Sequence, residues 1–213
     1  TRGGDRRGKQ CEEDGAGAHR DPRAERLGQR AVALEVRPRR GGNCDDAEKI
    51  VLDELAARGR AATRLALRDF RIEHCRGCLN CQRGKPCAIR DDFAAAWRLV
   101  KRAGAVVWVI PVYWCSPPGL VKDFLDRTVV DFNKGGVMRG KPAHLISVAQ
   151  SAGFGPQEKI LDAWVRWLGG PPLKTRMRLI AFHKGDLLRN ASAVRKLKAL
   201  ARKLAWLRHS RRT

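Results

Sequence analysis

The sequence lacks any apolar run that approaches the roughly 20 residues a helix needs to cross a bilayer. Its N-terminal stretch also lacks the apolar core of a secretion signal. These absences favour a cytoplasmic, reducing setting, in which a framework of structural disulfides is disfavoured. The chain starts at Thr1 rather than at Met, which indicates a fragment or a processed start.

Aromatic and acidic residues are also scarce. Aromatic residues make up 6% of the 213 positions and hydrophobic residues 43%, a balance typical of a globular chain. The 22 acidic residues are outnumbered by 44 Lys and Arg, which gives a net charge of +22. From Lys174 onward, thirteen basic residues accompany a single acid, Asp186. This pattern is more typical of a solvated helix face than of a nucleic-acid-binding surface, so nucleic acid is not the predicted partner.

The composition divides the chain into three parts. Residues 1–30 are rich in Gly, Arg, Asp and Glu, and we interpret them as a disordered tail. Residues 31–208 have the pattern of one α/β domain, and residues 209–213 form a short basic tail.

Within this domain, strand patterns alternate with amphipathic helix patterns. The predicted strands are residues 31–36, 61–67, 105–110, 143–149 and 177–182, and the predicted helices include 43–59, 91–104, 117–127 and 156–169. The run AVVWVI at 105–110 is continuously apolar, as in a strand buried on both faces. The order predicts a doubly wound, five-stranded parallel sheet with helices on both faces. Ligands of such sheets bind beyond the carboxyl ends of the strands.

Three loops at that edge have unusual compositions. RPRRGGN (37–43) combines basic residues and glycines with the start of a helix, where free N–H groups suit a phosphate. PVYWCSPPG (111–119) places aromatic residues beside small ones, which suits a flat ring. AQSAGFGPQE (149–158) is a glycine-containing loop able to cover the same site. Each loop taken alone also fits an ordinary surface turn or connector.

Four of the seven cysteines fall within the segment CRGCLNCQRGKPC, residues 75–87. Thiolates at this spacing can converge on one small object, which suits an iron–sulfur cluster. Zinc more often uses two well-separated pairs of cysteines. Metal-free thiols and a disulfide are further alternatives, and the spacing alone does not decide among the four.

The loops together resemble the flavodoxin-like family of NADPH-dependent FMN reductases and iron–sulfur flavoproteins, over about residues 31–207. That family's Ser-Pro-Arg and Gly-Asn-Thr pattern has its counterpart in residues 37–39 and 42–44, and its Pro-Val-Tyr loop in residues 111–113. Its Lys-x-Phe-x-Asp-Arg helix end matches Lys122, Phe124, Asp126 and Arg127. Arg37 and Cys44 replace two hydroxyl residues of the pattern, and a guanidinium at position 37 can bind phosphate in a forked geometry.

The resemblance implies an FMN-dependent oxidoreductase, of the flavin/quinone reductase or iron–sulfur flavoprotein type, that uses NAD(P)H. It implies FMN binding by Arg37, Arg39, Gly42, Asn43, Cys44, Pro111, Val112, Tyr113, Trp114, Cys115, Ser116, Ser151 and Gly153. It also implies a homo-oligomer, a dimer or a tetramer. The alternative is a flavodoxin-like electron-transfer protein without its own small-molecule substrate.

For the cysteine segment, the resemblance implies a 4Fe–4S cluster held by Cys75, Cys78, Cys81 and Cys87 that exchanges electrons with FMN. No acid–base triad is visible, so we predict no catalytic side chain and assign the chemistry to the cofactor. His144 and His183 are predicted to be structural residues within apolar strands.

Overall fold

The structure is a computed structural model that describes residues 31–35, 41–134 and 136–206. The two predicted tails, Arg37 and Arg39 lie outside these residues. The domain boundaries at 31 and 208 therefore stay predictions.

The described residues contain one five-stranded parallel sheet. Its strands are β1 (Ala31–Glu35), β2 (Ala62–Ala66), β3 (Ala105–Pro111), β4 (Ala143–Ala149) and β5 (Thr175–Ile180). The spatial order is β2-β1-β3-β4-β5, and every neighbouring pair is parallel. Because the order reverses between β1 and β3, a crevice is expected at their carboxyl ends.

Helices cover both faces of the sheet. They are α1 (Asn43–Ala56), α2 (Phe93–Arg102), α3 (Gly119–Arg127), α4 (Phe154–Trp167), the single turn α5 (Asp186–Arg189) and α6 (Ala191–Ala205). Short 3-10 segments occur at Leu67–Asp69, Cys81–Arg83 and Thr128–Lys134. The prediction of an α/β fold with a parallel sheet between helices is confirmed.

The central strand β3 is buried on both faces, as its apolar sequence predicts. Val106, Trp108 and Ile110 face the layer formed with α2, α3 and α4. Val107 and Val109 face the opposite layer, formed with α1 and α6. Alternate residues of one strand therefore contribute to two separate hydrophobic cores.

The layer under α2, α3 and α4 is unusually aromatic for a chain with few aromatic residues. Five rings, those of Phe93, Trp97, Trp108, Phe124 and Trp164, pack against one another with centroids 5.2–6.4 Å apart. Edge-to-face arrangements dominate, as the ring quadrupoles favour. Burial of these large surfaces fixes the positions of α2, α3 and α4 on the sheet.

His144 is a structural residue of β4, as predicted. Its side chain is buried, and its Nδ1 lies 3.0 Å from Thr175 Oγ1 on the neighbouring strand. Burial, together with the nearby charge of Lys174, lowers the pKa of His144 to about 4. The ring is therefore neutral at physiological pH.

Candidate functional site: a cleft at the carboxyl edge and a cysteine cavity

Four loops enclose a cleft of about 910 Å³ at the carboxyl ends of β1, β3, β4 and β5. The cleft brings together most of the predicted flavin-binding residues: Gly42, Asn43, Cys44, Pro111, Val112, Tyr113, Trp114, Cys115, Ser151 and Gly153. Ser116 does not line the cleft; it pairs with Tyr113 through the backbone. The fourth loop, residues 181–184, follows β5 and was not among the predicted segments.

The loop that precedes α1 forms one end of the cleft. Asn43 Nδ2 donates to the carbonyl of His183 over 2.9 Å, and the N–H of Leu187 donates to Asn43 Oδ1 over 3.2 Å. Asn43 thereby fastens the start of α1 to the loop after β5. Cys44 is only 5% exposed and belongs to the apolar core, so its thiol is packed inward.

The loop after β3 contains a two-residue turn in a strained conformation. Trp114 and Cys115 have φ values of 49° and 60°, and Tyr113 and Ser116 exchange backbone hydrogen bonds of 2.9 and 3.0 Å around them. Turns with both central residues at positive φ normally use Asn or Gly. Such strain costs about 1–3 kcal/mol per residue and occurs mainly at functional sites. The turn leaves the Trp114 side chain 99% exposed at the edge of the cleft.

Gln157, fully buried in α4, holds this turn from below. With its amide oxygen accepting from Ser147 Oγ (2.8 Å), its amide nitrogen donates to the carbonyls of Pro111 (3.0 Å) and Ser116 (3.2 Å). A backbone hydrogen bond of 2.8 Å from Val112 to Val148 adds a second anchor. The strained turn is therefore fixed to β4 and α4 before any ligand binds.

The loop after β4 is shorter than its sequence predicts. The predicted helix starts at residue 156, whereas α4 begins at Phe154 and places Pro156 in its first turn, where proline is tolerated. Gly153 precedes the helix with φ +88°. A Cβ at this position would lie 3.0 Å from Cys115 Cα and 3.1 Å from Val112 Cγ1. Gly153 thus permits two cleft-lining loops to touch.

The loop after β5 corrects one prediction. His183 does not lie in a strand: β5 ends at Ile180, and His183 is exposed on the wall of the cleft. Its ring makes an edge-to-face contact with Phe182, centroids 4.8 Å apart. The apolar run of β5 continues through residue 182, so sequence periodicity alone does not show that the strand ends before His183.

The cleft fits a flavin mononucleotide in size and lining. Its volume lies in the range of about 300–1,000 Å³ that small-molecule sites occupy. Tyr113, Trp114 and Phe182 supply aromatic surface, and the start of α1 supplies N–H groups at the positive end of a helix dipole. At the start of α1, Gly41 donates its N–H to the carboxylate of Asp45.

The four clustered cysteines line a second cavity, of about 460 Å³. The opposite wall is mainly apolar and includes Leu125, Val130, Trp164 and Leu168. The four cysteines of this segment are not in disulfides. Four thiols around one cavity are the donor set that an iron–sulfur cluster uses. Among the described residues, however, no three His, Cys, Asp or Glu side chains are grouped closely enough to hold one metal ion.

A buried ion pair holds both ends of this cysteine segment. Arg127 and Asp91, whose side chains are 2% and 1% exposed, form two hydrogen bonds of 2.6 and 3.0 Å. Arg127 also donates to the carbonyl of Glu73 (2.9 Å) and to Cys87 Sγ (3.6 Å). Burial raises the pKa of Asp91, but hydrogen bonds from Arg127 and the N–H groups of Glu73 and Phe93 outweigh it and hold that pKa below its ordinary value.

No pattern in the sequence indicates this pair. In the sequence, Arg127 belongs only to a helix-end pattern, and its partner lies 36 positions earlier in the chain. Pairing across such a distance leaves no periodic signal. The one available hint was a basic residue at the end of an otherwise apolar helix face.

The strand order and the position of the cleft define a flavodoxin-like α/β protein. Solved structures agree on this fold. The NAD(P)H:quinone oxidoreductase from Methanothermobacter marburgensis superposes with a TM-score of 0.68 at 18% identity, covering 85% of this chain and 99% of that one. An FMN-dependent NADH-azoreductase from Bacillus anthracis, solved with FMN, superposes with a TM-score of 0.64 at 14% identity, covering 83% and 99%.

The chain belongs to the NADPH-dependent FMN reductase family, whose model matches residues 30–183. An iron–sulfur flavoprotein from Archaeoglobus fulgidus is 29% identical over 140 residues, 63% of each chain. A second iron–sulfur flavoprotein of that organism is 30% identical over 80 residues, 38% of this chain and 39% of its own. The match spans less than two thirds of either relative's length. Within the described residues, no helix has the length and apolarity required to span a bilayer.

Proposed function

We propose that this chain is an FMN-dependent oxidoreductase that transfers electrons from NAD(P)H to an acceptor. The observation that carries the proposal is the cleft at the carboxyl edge of the sheet. The loops that line the cleft fall inside the family match at residues 30–183, except for Lys184, the last lining residue. FMN, when bound, supplies the hydride and electron chemistry. The protein's part is to bind and orient it.

The cleft residues have distinct parts in that task. The start of α1 lines one end of the cleft, and the free N–H groups of a helix start favour a phosphate at that end. The turn at Trp114 and Cys115, held by Gln157, presents backbone groups and aromatic surface to the ring. Arg37 and Arg39 are proposed to add charge at the phosphate end. No side chain of the cleft is assigned a proton-transfer step.

Steady-state kinetics test the proposal. Purified protein loaded with FMN is expected to oxidise NADH or NADPH under anaerobic conditions when a quinone, a free flavin or an azo dye is offered as acceptor. A protein that binds FMN but shows no turnover with either nucleotide and any of these acceptors would overturn the reductase proposal. In that case the second candidate, an electron-transfer protein without its own small-molecule substrate, is favoured by the net charge of +22.

We also propose that Cys75, Cys78, Cys81 and Cys87 hold a 4Fe–4S cluster. Support comes from four free thiols lining one mainly apolar cavity and from the two iron–sulfur flavoproteins among the relatives. The segment has to contract around the cluster, and three residues at positive φ, Gly77, Leu79 and Gly84, supply its turns.

Anaerobic reconstitution with iron and sulfide tests the cluster. We expect about four iron and four sulfide per chain and a broad visible absorption band that Cys78→Ser weakens strongly. Cys115→Ser is the matched control, because Cys115 is an exposed thiol of the flavin cleft. Equal iron content in wild type and Cys78→Ser would contradict the assignment.

A homo-oligomer, dimer or tetramer, is part of the proposal. Trp114 and Trp167, 99% and 68% exposed, are large apolar surfaces of the kind that a second subunit covers. Sedimentation of the FMN-loaded protein at a multiple of the 23.8 kDa chain mass is the expected result.

A further inference from the structure

The phosphate end of the cleft has few side-chain donors among its described residues. Cys44, in place of the family's threonine, points into the core, and both polar atoms of the Asn43 side chain are engaged by the loop after β5. Two acids, Asp45 and Asp46, stand in the first turn of α1. Among the described residues, a cation for a dianionic phosphate placed here therefore has to come from another loop, in addition to the charge proposed for Arg37 and Arg39.

Lys184 is the cation that the fold brings to this place. Its Nζ lies 3.2 Å, and its Cε 3.5 Å, from the point that a Cβ on Gly41 would occupy. Gly41 has φ +70° and stands just before α1, so the ammonium group lies beside this glycine at the helix start, in the space that a side chain at position 41 would fill. Both residues line the cleft, and no carboxylate of the described residues forms an ion pair with Lys184.

The backbone that carries Lys184 is fixed in place. The Asp186 carboxylate accepts the N–H groups of Phe182 (2.9 Å) and His183 (2.6 Å), and Arg189 donates to the Lys184 carbonyl (3.4 Å). Asn43 ties the same loop to α1 through the His183 carbonyl and the Leu187 N–H. Lys184 is therefore held at the helix start by two elements that are far apart in sequence.

We infer that Lys184 binds the phosphate of the flavin cofactor and makes the cleft select the phosphorylated flavin over riboflavin. The inference rests on the proposed function. Among the described side chains, the positive charge for the phosphate then comes from the loop after β5 and not from the loop after β1. The ring contacts at Tyr113 and Trp114 are the same for both flavins. The ratio of the affinities for FMN and riboflavin therefore reports only on the contacts made by the phosphate.

The test is flavin affinity, measured by fluorescence quenching of the purified chain with FMN and with riboflavin. Lys184→Gln is expected to weaken FMN binding roughly 10- to 100-fold, the range for loss of a charge-assisted hydrogen bond, and to leave riboflavin binding within about twofold. Lys184→Arg keeps the charge and is expected to keep most of the preference for FMN. Lys196→Gln is the matched control: it removes the same charge from an exposed position of α6 outside the cleft.

Each outcome decides a separate question. Equal FMN affinity for wild type and Lys184→Gln overturns the inference while leaving the flavin site standing. Equal losses for FMN and riboflavin also overturn it, because they indicate a structural role. A wild-type chain that binds neither flavin overturns the proposed function itself. An equal loss of FMN affinity in Lys196→Gln would indicate general electrostatics instead of a contact at residue 184.

Discussion

Several residues that line the cleft have strained backbone conformations, which lower the stability of the fold. Trp114 and Cys115 occupy left-handed backbone conformations, and Gly153 lies so close to Cys115 that a Cβ at position 153 would be only 3.0 Å from Cys115 Cα. Strain of this kind persists only where the surrounding structure imposes it. Here Gln157 and the backbone of β4 do so.

Gly153→Ala is expected to destabilise the protein by roughly 1–3 kcal/mol and to weaken FMN binding. The alanine would have to adopt a backbone φ of +88°, which side chains disfavour. Its Cβ would also lie 3.0 Å from Cys115 Cα. Gly155→Ala, two residues away, is the control, since its Cβ has nothing within 4 Å and the residue is helical. Urea unfolding and flavin titration measure both variants. Equal behaviour of the two alanines would contradict the close contact.

His144 makes stability depend on pH in a defined window. The unfolded ring binds a proton near pH 6.5, whereas the folded ring resists protonation down to about pH 4. The unfolded state therefore holds more protons between these values, so the stability contribution is complete above pH 6.5 and is lost as the pH falls. Between about pH 7.5 and about pH 5 the loss amounts to roughly 2 kcal/mol.

Comparison with His144→Asn isolates this effect from other titrating groups. The variant retains a polar atom near Thr175 Oγ1 but has no group that titrates in this window. We expect urea unfolding to show a smaller loss of stability for the variant than for wild type over the same pH interval. Parallel losses would show that His144 is not the group responsible.

At the scale of elements, the cysteine segment depends on the ion pair between Arg127 and Asp91. Asp91→Asn leaves a buried guanidinium without its counter-charge, and such losses cost about 3–5 kcal/mol. Asp53→Asn is the matched control, because its pair with Lys49 has side chains 64% and 73% exposed and is worth at most about 1 kcal/mol.

Hydrogen exchange adds a local measurement of the same variants. Amides of residues 73–90 are expected to lose protection in Asp91→Asn, because the carboxylate accepts the Glu73 N–H (2.8 Å) and Arg127 holds the Glu73 carbonyl (2.9 Å). Unchanged protection there, together with full global stability, would refute the anchoring role of the pair.

The elements were predictable because their signals are local. The unbroken apolar run of β3 and the helical periodicity of α2 each place a boundary within a few residues of the observed one. Most of the cleft was predictable too, since parallel strands bring their carboxyl ends to one edge. Lys184 and the Arg127–Asp91 pair were not, because contacts between distant segments have no counterpart in periodicity or spacing.

The whole molecule has a charge excess that the fold does not require. Arg195, Lys196 and Lys198 are exposed on α6, which packs its apolar side on the sheet through Leu197 and Leu200. The solvated basic helix face expected from the sequence is therefore present. A positive surface of this kind attracts acidic partners over distances set by the ionic strength.

Electron transfer to an acidic redox protein is therefore expected to slow steeply with salt. From about 0.05 M to about 0.5 M salt, the second-order rate constant should fall about tenfold or more, because screening removes long-range attraction. A neutral quinone is the control acceptor, since it has no charge for the surface to attract, and its rate should change little. Charge reversal at Arg195, Lys196 and Lys198 should lower the salt dependence for the acidic partner without affecting the quinone. If the two acceptors respond to salt alike, the net charge of +22 does not guide electron transfer.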